Sequence, residues 1–189
     1  MNDAELLAGL QAQCREGIRA KYVFFWRHEP GARASNLAHT LSNWYGSPFE
    51  LEGARYPTVE HWMMAEKARL FGDEEARELV LAAPHPGAAK ALGRQVRGFE
   101  EELWIRERYP LVRRGVQAKF EQNAELGTFL QGTQQRVLAE ASPTDRIWGI
   151  GLAADDPNAQ NPLHWSGLNL LGFALMDVRE TLRLRTGGD

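Results

Sequence analysis

From Arg55 to Phe71 the chain has one local option, a helix with a marked start. The stretch reads Arg-Tyr-Pro-Thr-Val-Glu-His-Trp-Met-Met-Ala-Glu-Lys-Ala-Arg-Leu-Phe. Pro57 cannot donate a backbone hydrogen bond and suits the first turn, while Thr58 can accept one at the N-cap. Nothing breaks the run before Gly72, which suits a C-terminal stop. Glu60 and Lys67 stand two helical turns apart, so they share a face with about 10 Å between them along the axis. Val59, Trp62, Met63 and Leu70 fill the adjoining stripe. An acid and an amine on one face, beside a wall of Trp and Met, are an unusual load for a core helix.

The totals narrow what surrounds this helix. With 189 residues, 43% hydrophobic and 25% charged, the chain can bury a sizeable core as one domain and is not a disordered polymer. No run of about 18 apolar residues is present, which excludes a membrane-spanning helix. The first residues, Met-Asn-Asp-Ala-Glu-Leu-Leu, lack the basic and apolar regions of a signal peptide. Cys14 is the one cysteine, so no internal disulfide can form. These features read as a reduced, cytoplasmic protein with no membrane association. The net charge of −3 argues against a duplex binder, which is normally basic, and for a small or local substrate.

Helical spacing over residues 4–20 predicts an N-terminal helical extension (residues 1–20) ahead of one domain over residues 21–186. Tyr22–Trp26 reads as a strand and runs into a long polar loop through Arg27 to Ser35-Asn36-Leu37. Residues 49–56 alternate around Gly53, which predicts a small hairpin leading into the central helix. Asp73 can cap a helix to about residue 82, Pro84-His85-Pro86 breaks it, and residues 87–96 form another. Residues 100–123 read as a long helix that Pro110 should kink or split near Tyr109. Asn123 can cap the next helix, to about residue 130. Periodicity leaves 136–140 open between strand and helix end. A final helix opens near Gly167 and runs to about Arg185, with Leu170, Leu171, Ala174, Leu175, Val178 and Leu182 on its buried face.

Several chemistries drop out. The five histidines include no pair at helical metal-ligand spacing, and there is no cysteine pair, so no metal is assigned. Gly167–Gly172 lacks the Lys and Ser or Thr of a phosphate loop; its glycines suit close helix packing, although Gly167 and Asn169 can present polar groups at a helix start. No Gly-x-Ser-x-Gly elbow is present, and Cys14 lies in a terminal amphipathic helix. Trp148-Gly149 and Trp165 suit either core packing or stacking on a planar base. Glu60 and Lys67 are either an exposed surface pair or a desolvated pair able to do proton or imine chemistry.

Taken in order, Ser35-Asn36-Leu37, Tyr56-Pro57-Thr58-Val59-Glu60-His61 with Lys67, Ala118-Lys119-Phe120-Glu121-Gln122-Asn123, Trp148-Gly149 and Gly167-x-Asn169-x-x-Gly172 resemble the YbiA-like or NADAR family over residues 22–185. The resemblance implies a mainly α-helical, compact single-domain bundle with a small β element. It also implies a hydrolase that cleaves the N-glycosyl bond between a ribose anomeric carbon and an amine nitrogen. The implied substrates are phosphorylated ribosylamino-pyrimidine intermediates of riboflavin biosynthesis, or ADP-ribose attached to guanine in nucleic acid; no cofactor is implied. Glu60 and Lys67 become the candidate catalytic pair. Glu60 can orient water or steady a developing positive charge. Lys67 can attack a ring-opened imine if burial leaves it neutral. Supporting contacts are expected from Arg27 or Arg33 to phosphate, from Ser35, Asn36 and Asn169 to the sugar, and from Trp148 with Gly149 to the base. Bacterial YbiA proteins carry an Asp where this chain has Ile150, so that role does not carry over, and Asp155 in the following acidic pair is the candidate in its place. The competing expectation is a non-catalytic reader of ADP-ribose or a nucleotide, with hydrolysis of NAD a third.

Overall fold

The structure is a computed structural model that describes residues 3–29 and 37–186. Arg33, Ser35 and Asn36 lie outside the described residues. Backbone contacts group the chain into two compact units, Met1–Ser42 with Glu125–Asp189, and Asn43–Ala124.

In the first unit α1 (Asp3–Arg15) is followed by β1 (Tyr22–Phe25). Gly17 stops α1 well before residue 20. It adopts φ +80°, its N–H bonds the Cys14 carbonyl, and the Ile18 N–H reaches back to Gln13. That double closure needs a left-handed residue, which glycine supplies. Residues 136–140, ambiguous by periodicity, contain β4 (Val137–Glu140), which pairs parallel with β1; Tyr22 faces Val137 and Phe25 faces Glu140. Val137, Leu138 and Ala139 are all buried, the continuous apolar run of a strand covered on both faces. α6 (Ala124–Gly132) precedes it, and α7 (Leu170–Thr186) packs on it. A Cβ at Gly172 would collide with the Leu138 carbonyl, so α7 lies against β4 at a separation that only glycine permits.

The second unit opens with a hairpin, β2 (Phe49–Leu51) and β3 (Ala54–Tyr56), antiparallel and joined by Glu52 (φ +50°) and Gly53 (φ +78°). Two successive positive φ values are the turn that matches strand twist. Then come α2 (Val59–Leu70), α3 (Glu74–Leu81), α4 (Pro86–Gly93) and α5 (Glu101–Gln122). α2 packs against α3, α4 and α5. This explains why it is buried nearly all round, including Glu60, His61 and Glu66, rather than along one stripe. Each short helix is capped from the sequence. Thr58 Oγ1 accepts from the His61 N–H, Asp73 from the Ala76 N–H, and His85 Nδ1 from the Ala88 N–H. Pro57 stands before the cap, not in the first turn, whereas Pro86 does open α4. α5 runs through Pro110 unbroken. Proline removes the bond to the Arg106 carbonyl, but both residues are exposed and solvent can take the lost donor's place.

The fold is mainly α-helical with a small β element, as the resemblance implies. Among the described residues no helix is long and apolar enough to cross a membrane.

Candidate active site

The N-terminal end of α2 is tightly held. Glu60 is 2% exposed and sits in the first turn, where the helix dipole favours a negative side chain. Its N–H donates to the Asn43 carbonyl at 3.1 Å, and the Ser47 N–H donates to the Pro57 carbonyl at 3.2 Å, so residues 43–47 fix how the chain enters the helix. His61 is occupied on both nitrogens. Nε2 donates to the Ala83 carbonyl at 3.1 Å, which leaves Nδ1 to accept from the Thr58 hydroxyl at 2.8 Å. Burial holds its pKa below the ordinary histidine value, so His61 acts as a neutral packing residue.

One turn on, Trp62 locks α2 to α5. Its Nε1 donates to the Leu111 carbonyl at 2.7 Å, its ring meets Tyr56 edge-on at 5.1 Å, and it fills the space where a Cβ at Gly115 would stand. At the far end of α2, Lys67 Nζ donates to the Gly93 carbonyl at 2.8 Å and lies over the Phe99 ring (4.2 Å) and the Trp104 ring (5.6 Å). Burial lowers its pKa. The structure thus puts Glu60 and Lys67 in one unit but at opposite ends of the helix, with the Lys67 amine turned onto the end of α4.

Two further polar residues of this unit are buried and were not among the expected site residues. Lys119, in α5, is 1% exposed, with Nζ over the Tyr45 (5.5 Å) and Phe120 (5.1 Å) rings. Burial pushes its pKa down to about 7. Asn43 is 6% exposed, and its Oδ1 is buried with no hydrogen-bond partner among the described residues. The sequence held both signals: Ser42-Asn43 repeats Ser35-Asn36 immediately before the hairpin, and Lys119 lies inside a quoted motif.

The remaining candidates belong to the first unit. Arg27 is exposed, its guanidinium 5.4 Å from the Trp26 ring centroid. Trp148 is half-buried, its N–H bonded to Asp145 Oδ1 at 2.8 Å. Gly149 is buried, and a Cβ there would come within 2.9 Å of the Glu140 carbonyl, so its lack of a side chain serves close approach of the loop to β4. Asp155 is exposed in a turn. Ile150 is fully buried, so the position expected to hold an acid in bacterial YbiA proteins holds core here. Asn169 needs correction as a sugar contact. It is fully buried; its Nδ2 donates to the Leu138 carbonyl at 2.9 Å and its Oδ1 accepts from the Glu140 N–H at 3.0 Å. Both ends of the amide clamp β4, and φ +55° sets the turn into α7.

Several known proteins resemble this chain over most of its length. N-glycosidase R617 of Acanthamoeba polyphaga mimivirus is 38% identical over 165 residues, covering 85% of this chain and 95% of that protein. N-glycosidase YbiA of Escherichia coli (strain K12) is 33% identical over 144 residues, 76% of this chain and 81% of the relative. The NMR structure of E. coli YbiA matches with a TM-score of 0.72 at 29% identity, over 90% of both chains. A family model described as the NADAR domain matches residues 24–183, and the chain belongs to that family.

Proposed function

We propose that this protein is an N-glycosidase that hydrolyses the bond between a ribose anomeric carbon and an amine nitrogen, with Glu60 as its working carboxylate. Relatives named N-glycosidase support the reaction class. The observation that carries the residue is a glutamate only 2% exposed, in the first turn of a helix packed on nearly every side. Burying a carboxylate costs several kcal/mol, on the order of what a small domain's whole stability can lose, so packing alone would favour an apolar side chain there. As the C1–N bond lengthens, positive charge develops at C1. A carboxylate at that carbon steadies the charge and takes a proton from the attacking water. Hydrolysis of a glycosylamine is redox-neutral and calls for no cofactor.

The substrate class follows from that chemistry: a small, nucleotide-like molecule with an amine-linked ribose. Phosphorylated ribosylamino-pyrimidines and ADP-ribosylated guanine both qualify. The single cysteine suits a cytoplasmic setting for this work. A side-by-side product assay on the two substrates tests the reading. Release of the ribose product from at least one is expected, with Glu60→Gln lowering turnover by about 10²–10⁴-fold. Binding without turnover on both would make the protein a reader of such groups, and full turnover by Glu60→Gln would remove the carboxylate from the reaction.

A further inference from the structure

The geometry points to Lys119, rather than Lys67, as the amine that attacks the anomeric carbon at the Glu60 end of α2. This inference rests on the N-glycosidase reading and names its nucleophile. Three contacts set the relation of the helices. Trp62 meets Leu111 and Gly115, while Lys67 lies over Trp104. Moving forward along α2 therefore means moving backward along α5, so the pair is antiparallel. Gly115 and Lys119 are four residues apart and share a face, one turn or about 6 Å along the axis. One turn beyond Gly115 on α5 corresponds to one turn before Trp62 on α2, the turn that begins at Val59 and holds Glu60. Lys67 belongs to the opposite end. The loop gives an independent tie. The Asn43 carbonyl bonds the Glu60 N–H at 3.1 Å, and two residues later the Tyr45 ring stands 5.5 Å from Lys119 Nζ. Tyr45 is itself half-buried. Asn43 Oδ1 adds a buried acceptor at the same place, left for a ligand donor.

The surroundings also set the amine's reactivity. Burial holds Lys119 near pKa 7, so an appreciable fraction is neutral and nucleophilic at neutral pH. In the reaction the nitrogen lone pair of the substrate opens the ribose ring, C1 becomes a protonated imine, and the ring oxygen takes a proton from solvent. Neutral Lys119 Nζ adds to C1, and the imine π electrons return to the leaving nitrogen. A proton passes from Nζ to that nitrogen, the C1–N bond to the base breaks, and the base departs as a neutral amine. Lys119 is left joined to C1 as an imine. Water, relieved of a proton by Glu60, adds to C1; Glu60 passes that proton to Nζ, the C1–Nζ bond breaks, the carbinol hydroxyl releases its proton to solvent, the neutral lysine is restored, and the freed aldehyde closes to ribose. No oxidant or reductant enters.

The test uses the full chain with ADP-ribosylated guanosine and with the ribosylamino-pyrimidine phosphate, quenched in borohydride during turnover. Reduction converts the imine to a stable amine, and peptide masses locate it. The expected result is an adduct on Lys119, kept in Lys67→Met and lost in Lys119→Met, with kcat of the latter reduced at least 10²-fold. Lys119→Met replaces a buried amine by an apolar side chain of similar length, and retained helical signal with an undiminished melting temperature shows that it folds. An adduct on Lys67, turnover with no adduct, or an active Lys119→Met overturns the assignment while leaving the N-glycosidase reading intact. Absence of ribose release from both substrates by the unaltered protein overturns that reading and this one together.

Discussion

The two ends of the α2–α5 pair each place a lysine amine against two aromatic rings, and burial lowers the pKa of both. They differ in how deeply the amine is buried. Lys67 is half-buried and spends a proton on the Gly93 carbonyl at 2.8 Å, a contact that braces α2 to the end of α4. Lys119 is 1% exposed and held near pKa 7. A lysine on a carbonyl gains from remaining charged. A lysine sunk among rings gains from losing its proton. The same residue type in similar aromatic company can therefore be a brace at one end and a reagent at the other.

Stability against pH gives the largest separation between the two ends. The folded pKa of Lys119 is near 7 and its ordinary value 10.5. Below about pH 7 both states carry the proton and the full cost of burying the charge is felt. Between about 7 and 10.5 the unfolded chain holds a proton that the folded chain does not, so stability should rise with pH through that window, by up to roughly 5 kcal/mol. Tyr22 and Tyr56, raised by burial, act oppositely at the alkaline edge. The clean measurement is thus the difference between the unaltered protein and Lys119→Met, by denaturant titration at pH 7 and pH 9.5. Lys119→Met should be the more stable at pH 7, and the gap should shrink at pH 9.5. A gap that does not change with pH would mean that Lys119 carries no buried-charge penalty.

Gly115→Ala tests the hinge between the ends. The added Cβ would collide with the Trp62 ring, which cannot swing away because its Nε1 is bonded to the Leu111 carbonyl. Forced separation of the helices should cost about 1–3 kcal/mol in a thermal melt. Because Lys119 lies one turn further on, the variant should also lower kcat more than KM. An unchanged melting temperature would show that the two helices are not in tight register there.

Much of this was legible in the sequence where local chemistry decides. Thr58, Asp73 and Gly53 announced their caps and turn, and the hairpin and central helix followed. The end of α1 was misjudged because Ile18 extends the apolar spacing past Gly17 while the backbone turns away. β4 was undecidable because its strand character comes from pairing with β1, more than a hundred residues earlier in the chain. The site was harder for a related reason. Glu60 and Lys67 share a helix face in sequence, but no local rule says that α5 approaches antiparallel and brings Lys119 to one end and Trp104 to the other. Asn169 looked like a ligand contact because a polar side chain by a helix start usually faces outward. Here the strand takes both ends of its amide.

The smallest expected effect belongs to Lys67→Met, and it completes the contrast. The variant loses one hydrogen bond, to Gly93, and two cation–ring contacts, but keeps an apolar stem of similar length against Phe99 and Trp104. A net hydrogen bond to a charged donor is worth about 1.5–3 kcal/mol, less where solvent competes, and methionine recovers part of it through sulfur–aromatic contact. The expected loss is therefore about 1 kcal/mol at pH 7, opposite in sign to Lys119→Met. Denaturant titration of the two variants in parallel reads it directly. If Lys67→Met stabilised the protein as Lys119→Met does, the Gly93 contact would not be a brace. The two amines would then be equivalent, and the asymmetry that selects Lys119 would be gone.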